Sequence, residues 1–235
     1  MLADLPNADA KESSKGALAK EKMLRAALDV FGEYGFEGAT TRMLATRAGM
    51  NLGAIPYYFG SKEDLYAEAA SYLADLIEAK QSPHLQNLKE TTSNAIETGE
   101  ICDAVVDFMI KQAHGFLCET MPLAWMHFFL SAQRRTGPAF EHLNQRVIRP
   151  AQAVVTPLIA RILGRQEDAP ETLALTFLGI HQALCIRLAD AMLMNRMHWN
   201  DLSNERMVSL LEIVRTAIKV QLMHYPSSSP HESMG

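Results

Sequence analysis

Long uninterrupted apolar runs are missing from these 235 residues. The nearest approach, Leu173 to Met194, is broken by His181, Gln182, Arg187 and Asp190. It therefore predicts a buried helix of a soluble fold and no membrane span. Cysteine is scarce: the three are widely spaced, which excludes a disulfide framework and fits a reducing cytoplasm. There is no excess of positive charge. A net charge of −5 excludes a protein that coats nucleic acid indiscriminately, but leaves room for a local basic surface. Residues 1–16 lack the apolar stretch of a secretion signal. No Gly-rich phosphate loop, HExxH pair or nucleophile elbow is present, so neither an enzyme nor a cofactor is expected. No internal repeat occurs, and no period-two alternation lasts long enough to predict strands.

What is present is helical periodicity almost throughout, and the expected fold is all-α with about nine helices. Residues 1–16 and 226–235 are small, polar and charged, and read as a disordered arm and tail. Leu24, Ala27, Leu28, Phe31 and Tyr34 mark an amphipathic helix, with Gly35 placed to end it in the left-handed conformation. Short helices are predicted over about 41–48 and 52–59. Ser61, with Asp64 three residues on, caps a helix running to about Gln81. Residues 83–99 read as a loop with at most one short helix. Beyond them helices are predicted over about 101–118, 122–134, 138–163, 170–195 and 203–224, the third kinked or split by Pro150 and Pro157. Pro138 and Pro170 mark helix starts, and Gly164 a C-cap. The expected division is 17–62 as a three-helix N-terminal domain and 63–225 as a C-terminal helical bundle.

Function concentrates in TTRMLATRAGMNLGAIPYYFGSKEDLY. Two short helices around the turn Ala48-Gly49-Met50 match a helix-turn-helix, with Leu44, Ala45, Ala48 and Ile55 as their shared core and Asn51 as cap of the second. From Gly38 to Lys62 there is no Asp or Glu, while Arg42, Arg47 and Lys62 are basic, as a polyanion partner requires. Thr40, Thr41, Arg42, Tyr57, Tyr58 and Lys62 suit phosphate contacts. Asn51, Leu52, Gly53 and Ala54 open the second helix and suit base edges, joined by Tyr57. A solvated basic face on an ordinary helix pair fits the same pattern.

The ordered features FGEYGF (31–36), Thr40-Thr41, ATRAG (45–49) and YFGSKEDL (58–65) resemble the DNA-binding domain of TetR-type regulators over about 17–70. Pro56 departs from that pattern, standing where many relatives have tyrosine. Further on, RRTGPAFEHL (134–143), VIRP (147–150) and FLGIHQAL (177–184) resemble the CecR or CerR subgroup. The resemblance implies a homodimeric repressor on a palindromic double-stranded operator, released by a small-molecule inducer. It also suggests control of an exporter or drug-response operon.

Two apolar stripes run along the last two helices. One holds Leu173, Phe177, Ile180, Leu184, Leu188 and Ala191. The other holds Met207, Leu210, Leu211, Val214, Ile218 and Leu222. They pair within one chain or, as the resemblance implies, build a four-helix dimer interface. For that interface Leu173, Phe177, Ile180, Leu184, Arg187, Leu188, Leu211, Val214 and Ile218 are the candidates. Large apolar residues between Met109 and Phe129 fit either a core or an inducer cavity. The candidate lining is Met109, His114, Trp125, Phe128, Phe129, Phe177 and His181. His181 and Arg187 equally suit pairing across a dimer with Gln182 or Asp190. His181 and Cys185 share a helix face, but two ligands make no metal site without Cys102 or Cys118, and no metal is expected.

Overall fold

Cap signals and helix-forming composition settle most of the architecture. The computed structural model describes the backbone of residues 8–117, 121–188, 190–200 and 204–225. It describes the side chains of 16–115, 121–182, 192–200 and 205–225. Among these residues there are eleven α-helices and no strand. They are α1 (Ala8–Gly38), α2 (Thr41–Ala48), α3 (Ala54–Tyr58), α4 (Lys62–Ser93), α5 (Thr98–Leu117), α6 (Leu123–Ala132), α7 (Pro138–Leu143), α8 (Arg149–Leu163), α9 (Pro170–Leu188), α10 (Asp190–Met197) and α11 (Asn204–Met223). A π-helical turn, Asn144–Ile148, joins α7 to α8.

Several expectations are corrected. α1 begins at Ala8, inside the segment expected to be a disordered arm, because the run from Ala8 to Lys15 holds no Gly or Pro and several good helix formers. The tail, 226–235, lies outside the described residues. Gly35 ends the regular helix at positive φ as expected, but its ψ of 173° is extended and not left-handed helical. α4 does not stop before Pro83 but continues to Ser93. Pro83 is exposed and forfeits only its own bond to the Ala79 carbonyl, while Leu85 and Leu88 are buried and hold the later turns in place. The helix expected over 138–163 is split just ahead of Pro150, and Pro157 sits inside α8 without breaking it. The helix expected over 170–195 is described as α9 and α10, on either side of residue 189, which lies outside the described residues.

The chain forms two compact units, and their boundary differs from the expected one. The first comprises residues up to Leu76 together with Pro122–Arg146, so α6 and α7 fold with the helix-turn-helix. The second comprises Ile77–Met121 and the residues from Val147 on.

In the first unit α6 lies against α1. Phe128 and Phe31 are fully buried and, with Phe36 and Tyr66, form an aromatic cluster with ring centroids 4.8–6.3 Å apart. Trp125 Nε1 donates to Asp29 Oδ1 at 2.7 Å. Gly32 makes the approach possible, since a Cβ there would lie 1.8 Å from the Ala124 carbonyl oxygen. In the second unit α5, α8, α9 and α11 share a core that includes Ile101, Val105, Met109, Val155, Ile159, Leu211, Val214 and Ile218. Arg215 pairs with Asp107, and Lys219 with Asp103 at 2.5 Å, tying α11 to α5.

The clash at Gly32 is with backbone and cannot be relieved by a rotamer change. Gly32→Ala is expected to lower unfolding free energy by about 1–3 kcal/mol, toward the upper end of the overpacking range. Urea unfolding followed by circular dichroism measures it, and an unchanged midpoint would contradict the packing described.

Candidate nucleic-acid interface

α2 is closed by local chemistry at both ends. Thr40 Oγ1 accepts from the Met43 N–H at 3.2 Å, capping its start. Gly49 adopts the left-handed conformation at φ 60° and ψ 40°. Its N–H donates to the Thr46 carbonyl at 3.0 Å, and the Met50 N–H donates to the Ala45 carbonyl at 2.9 Å. This is a Schellman closure, which turns the chain sharply toward α3. Leu44, Ala45, Ala48 and Ile55 are buried between the helices. α4 starts with Ser61 Oγ accepting the Asp64 N–H at 3.0 Å and donating to Asp64 Oδ2 at 2.6 Å.

α3 is shorter than expected and starts at Ala54, not near Leu52. Asn51 does not cap it with its side chain. The Asn51 carbonyl instead accepts the Ala54 N–H at 3.1 Å in a tight turn. The late start accommodates Pro56, which falls in the first helical turn, where an N–H has no intrahelical partner to lose. The Tyr57 and Phe59 N–H groups donate to Gly53 and Ile55 at 3.1 and 2.9 Å, so the turn closes around the proline.

The outward face carries Thr40, Thr41, Arg42, Asn51, Leu52, Gly53, Pro56 and Tyr57, all exposed, with Tyr57 at 81%. Tyr58 is half-buried and packs edge-on against Tyr57, centroids 4.7 Å apart. Lys62 is half-buried, its Nζ 4.5 Å from the Phe36 ring centroid. Ala54 is the correction within this set. Its methyl is only 7% exposed because it faces the inner side of the short helix, so it does not offer itself to a base edge.

Arg47 does not belong to the free basic surface either. Its guanidinium donates to both Glu33 oxygens, at 2.9 and 2.7 Å, and lies 3.7 Å from Asp29 Oδ2. Asp29 in turn accepts from Trp125. One chain of polar contacts thus runs from α6 through α1 to α2, with no sequence pattern marking a pair fourteen residues apart.

The candidate ligand residues are divided between the two units. Trp125, Phe128 and Phe129 are core of the first unit, drawn there by the packing of α6 on α1. Met109 is core of the second, with Gly179 so close that a Cβ would meet its Sδ at 2.6 Å. His114 is exposed. Phe177, 55% exposed, and His181 stack at 4.1 Å along the outward side of α9. Burial pushes the His181 imidazole below its usual range, against the opposing effect of the Phe177 carbonyl 2.8 Å from Nδ1. A cavity of about 30 Å³ in the second unit is lined by Ile77, Lys80, Gln112, Gly115 and Met121. Among the described residues Gln112 Nε2 is buried without a hydrogen-bond partner, and no sequence signal pointed to it.

The candidate dimer residues also separate. Leu211, Val214 and Ile218 face the core of their own unit, so they are not surface residues; their side of α11 packs on α5. Leu173 and Phe177 are exposed and Ile180 half-buried. α9 is thus not the wholly buried helix expected from the sequence. The side chains of Leu184, Cys185, Arg187 and Leu188, and residue Cys118, lie outside the described residues. The outward side of α11 carries Ile213 and Val220, 62% and 52% exposed, which the sequence stripes did not include. Among the described residues no three potential metal ligands gather, and no helix is long and apolar enough to cross a membrane.

Residues 23–69 match the family described as bacterial regulatory proteins, tetR family. Residues 102–223 match the C-terminal domain of the HTH-type transcriptional dual regulator CecR. CecR of Shigella flexneri is 30% identical over 192 residues, covering 82% of this chain and 86% of that protein. Among solved structures, a transcriptional regulator from a Rhodococcus species superposes with a TM-score of 0.55 at 19% identity, covering 90% of this chain and 99% of its own. The regulator FadR of Bacillus subtilis, solved in complex with stearoyl-CoA, has a TM-score of 0.50 at 12% identity, covering 89% and 99%.

The Arg47 hydrogen bonds hold the Glu33 carboxyl below the usual glutamate range. A folded-state value below the unfolded one stabilises the fold above about pH 4.3, and that contribution is lost as pH falls through the folded-state value. Glu33→Gln is therefore expected to be less stable than the wild type near neutrality, with the gap closing on acidification. Denaturant midpoints between neutral pH and pH 3 measure this, and a gap that widens in acid would refute it.

Proposed function

This chain belongs to the tetR family of bacterial regulatory proteins and carries a CecR-type C-terminal domain, and from that premise we propose that it is a ligand-responsive, sequence-specific DNA-binding repressor. The observation that carries the proposal is the acid-free outward face of α2 and α3, with Asn51, Leu52, Gly53 and Tyr57 directed away from their own domain. α3 enters the major groove. Asn51 and Leu52 meet base edges. Thr40, Thr41, Arg42, the two tyrosines and Lys62 meet phosphate. Such a protein acts in the cytoplasm, where its DNA is.

Two copies associate through the outward sides of α9 and α11, where Leu173, Ala174, Phe177 and Leu178 on one helix and Ile213 and Val220 on the other are exposed. No charged residue interrupts the α9 face between Leu173 and Gln182. A two-fold pair reads a palindrome, with half-sites roughly one turn, or 34 Å, apart. The inducer is a small apolar or amphipathic molecule held in the second unit, where a hollow beside the buried Gln112 amide would have to widen to admit it. The acyl thioester bound by the Bacillus relative supports that ligand class. α4 is continuous from Lys62 to Ser93 and is the covalent path by which ligand would bias the reading head. Control of an exporter or drug-response operon completes the proposal.

Lys62→Ala is expected to weaken binding to all duplexes alike and lower the salt slope by about one per chain, while Asn51→Ala changes which operator is preferred. Fluorescence anisotropy across a salt series separates the two effects. Equal affinity for operator and unrelated DNA at every salt concentration would reject specific recognition. Phe177→Arg is expected to convert the dimer to monomer in sedimentation equilibrium, and an unchanged dimer would place the interface elsewhere.

A further inference from the structure

The turn between α6 and α7 carries Arg134 and Arg135, and nothing above gives them a task. It belongs to the same compact unit as the helix-turn-helix. It is well ordered by its own hydrogen bonds: the Arg134 N–H donates to the Ser131 carbonyl at 3.1 Å, and Gly137 at φ 143° leads into Pro138, the first residue of α7. The Arg135 guanidinium carbon lies 4.6 Å from the Phe36 ring centroid, and Lys62 Nζ lies 4.5 Å from the same centroid. The two cations are therefore no further apart than the sum of those distances. Arg134 is exposed and meets no side-chain partner among the described residues. Arg135 is half exposed, and among the described residues it pairs with Glu37 at 3.0 Å, itself 82% exposed on its side chain. Glu63 lines the same hollow as Arg135. Lys62 and Arg135 thus share the Phe36 ring, exposed Arg134 is the neighbouring residue of the same turn, and the carboxylates of the adjoining segments are Glu37, Glu63 and Asp64.

We propose that this turn is a second DNA-contacting element, in which Arg134 and Arg135 meet backbone phosphates next to the one met by Lys62. It rests on the DNA-binding reading above. An ion pair between two exposed side chains contributes little, so Glu37 holds Arg135 only until phosphate replaces it. Arginine suits the exchange, because its fork binds phosphate in two-pronged fashion. Glu37 is then a competitor for the same guanidinium, which gives it the opposite sign to Arg135 in binding.

The test uses the full chain and a duplex that the wild-type protein selects from a random-sequence pool. Affinity is measured across a potassium chloride series for Arg134→Ala, Arg135→Ala, Arg135→Lys, Glu37→Gln and Lys62→Ala, with thermal unfolding in parallel. Each arginine-to-alanine variant is expected to bind several-fold more weakly and to lower the salt slope by about one per chain, on specific and unrelated DNA alike. Arg135→Lys should keep the slope, and Glu37→Gln should bind more tightly than the wild type. The proposal is overturned if both arginine variants match the wild type while Lys62→Ala is weakened. It is also overturned if Glu37→Gln weakens binding as Arg135→Ala does, the mark of a pair that only braces the fold. If the wild type selects no duplex, the DNA-binding reading fails first and takes this one with it.

Discussion

One close approach organises the first unit: the Ala124 carbonyl of α6 against the bare Cα of Gly32 on α1. A glycine in a helix interior costs about 1 kcal/mol against alanine, and here the cost is met by helices at backbone distance. Once α6 is held there, Phe128 reaches Phe31 and Tyr66, and Trp125 reaches Asp29. Asp29 and Glu33, one helical turn apart, then both face Arg47 of α2. The orientation of α2 on α1 is thus braced by a carboxylate that α6 also holds. A displacement of α6 along α1 would have to break the Trp125 hydrogen bond or carry Asp29 with it.

The same contact explains what could and could not be read from the sequence. α2 was legible because its signals are local: Gly49 after it and apolar residues at helical spacing before that, while the Thr40 cap emerged only from the structure. Gly164 closing α8 was legible on the same grounds. The membership of 122–146 in the first unit was not, because it depends on a glycine and a tryptophan ninety-odd residues apart in the chain. The first glycine of FGEYGF, Gly32, was the available hint, as interior glycines mark close packing. Pro83 misled for a related reason: a proline is a local veto that the buried Leu85 and Leu88 outweigh.

The stripes on α9 and α11 show a further limit. Periodicity identifies apolar sides but not what covers them. On α11 the strongest stripe is spent inside its own unit, and the exposed apolar side chains, Ile213 and Val220, sit on the weaker one. On the described part of α9 the inward side carries Thr172, Thr176 and Gly179 beside Leu175, while Leu173, Phe177 and Leu178 are exposed. Thr172 and Thr176 satisfy their hydroxyls on the Gln166 and Thr172 carbonyls, so they are buried without an unmet group. A helix packed tightly by small residues on one side and carrying bulky ones on the other reads, in sequence alone, like a helix buried all round.

The brevity of α3 has a consequence for how much a half-site can say. Five residues, two of them turned inward and one a proline, leave Tyr57 exposed on α3 itself, with Asn51, Leu52 and Gly53 exposed in the turn before it as the rest of the proposed reading surface. Such a surface has few donors and acceptors with which to distinguish four base pairs by hydrogen bonding. It is better suited to sensing methyl groups and groove width, so its vocabulary is shape more than letters. On the proposed reading, the operator is poor in fixed positions and strict about spacing and bendability, with two-fold symmetry supplying the discrimination that each short helix lacks.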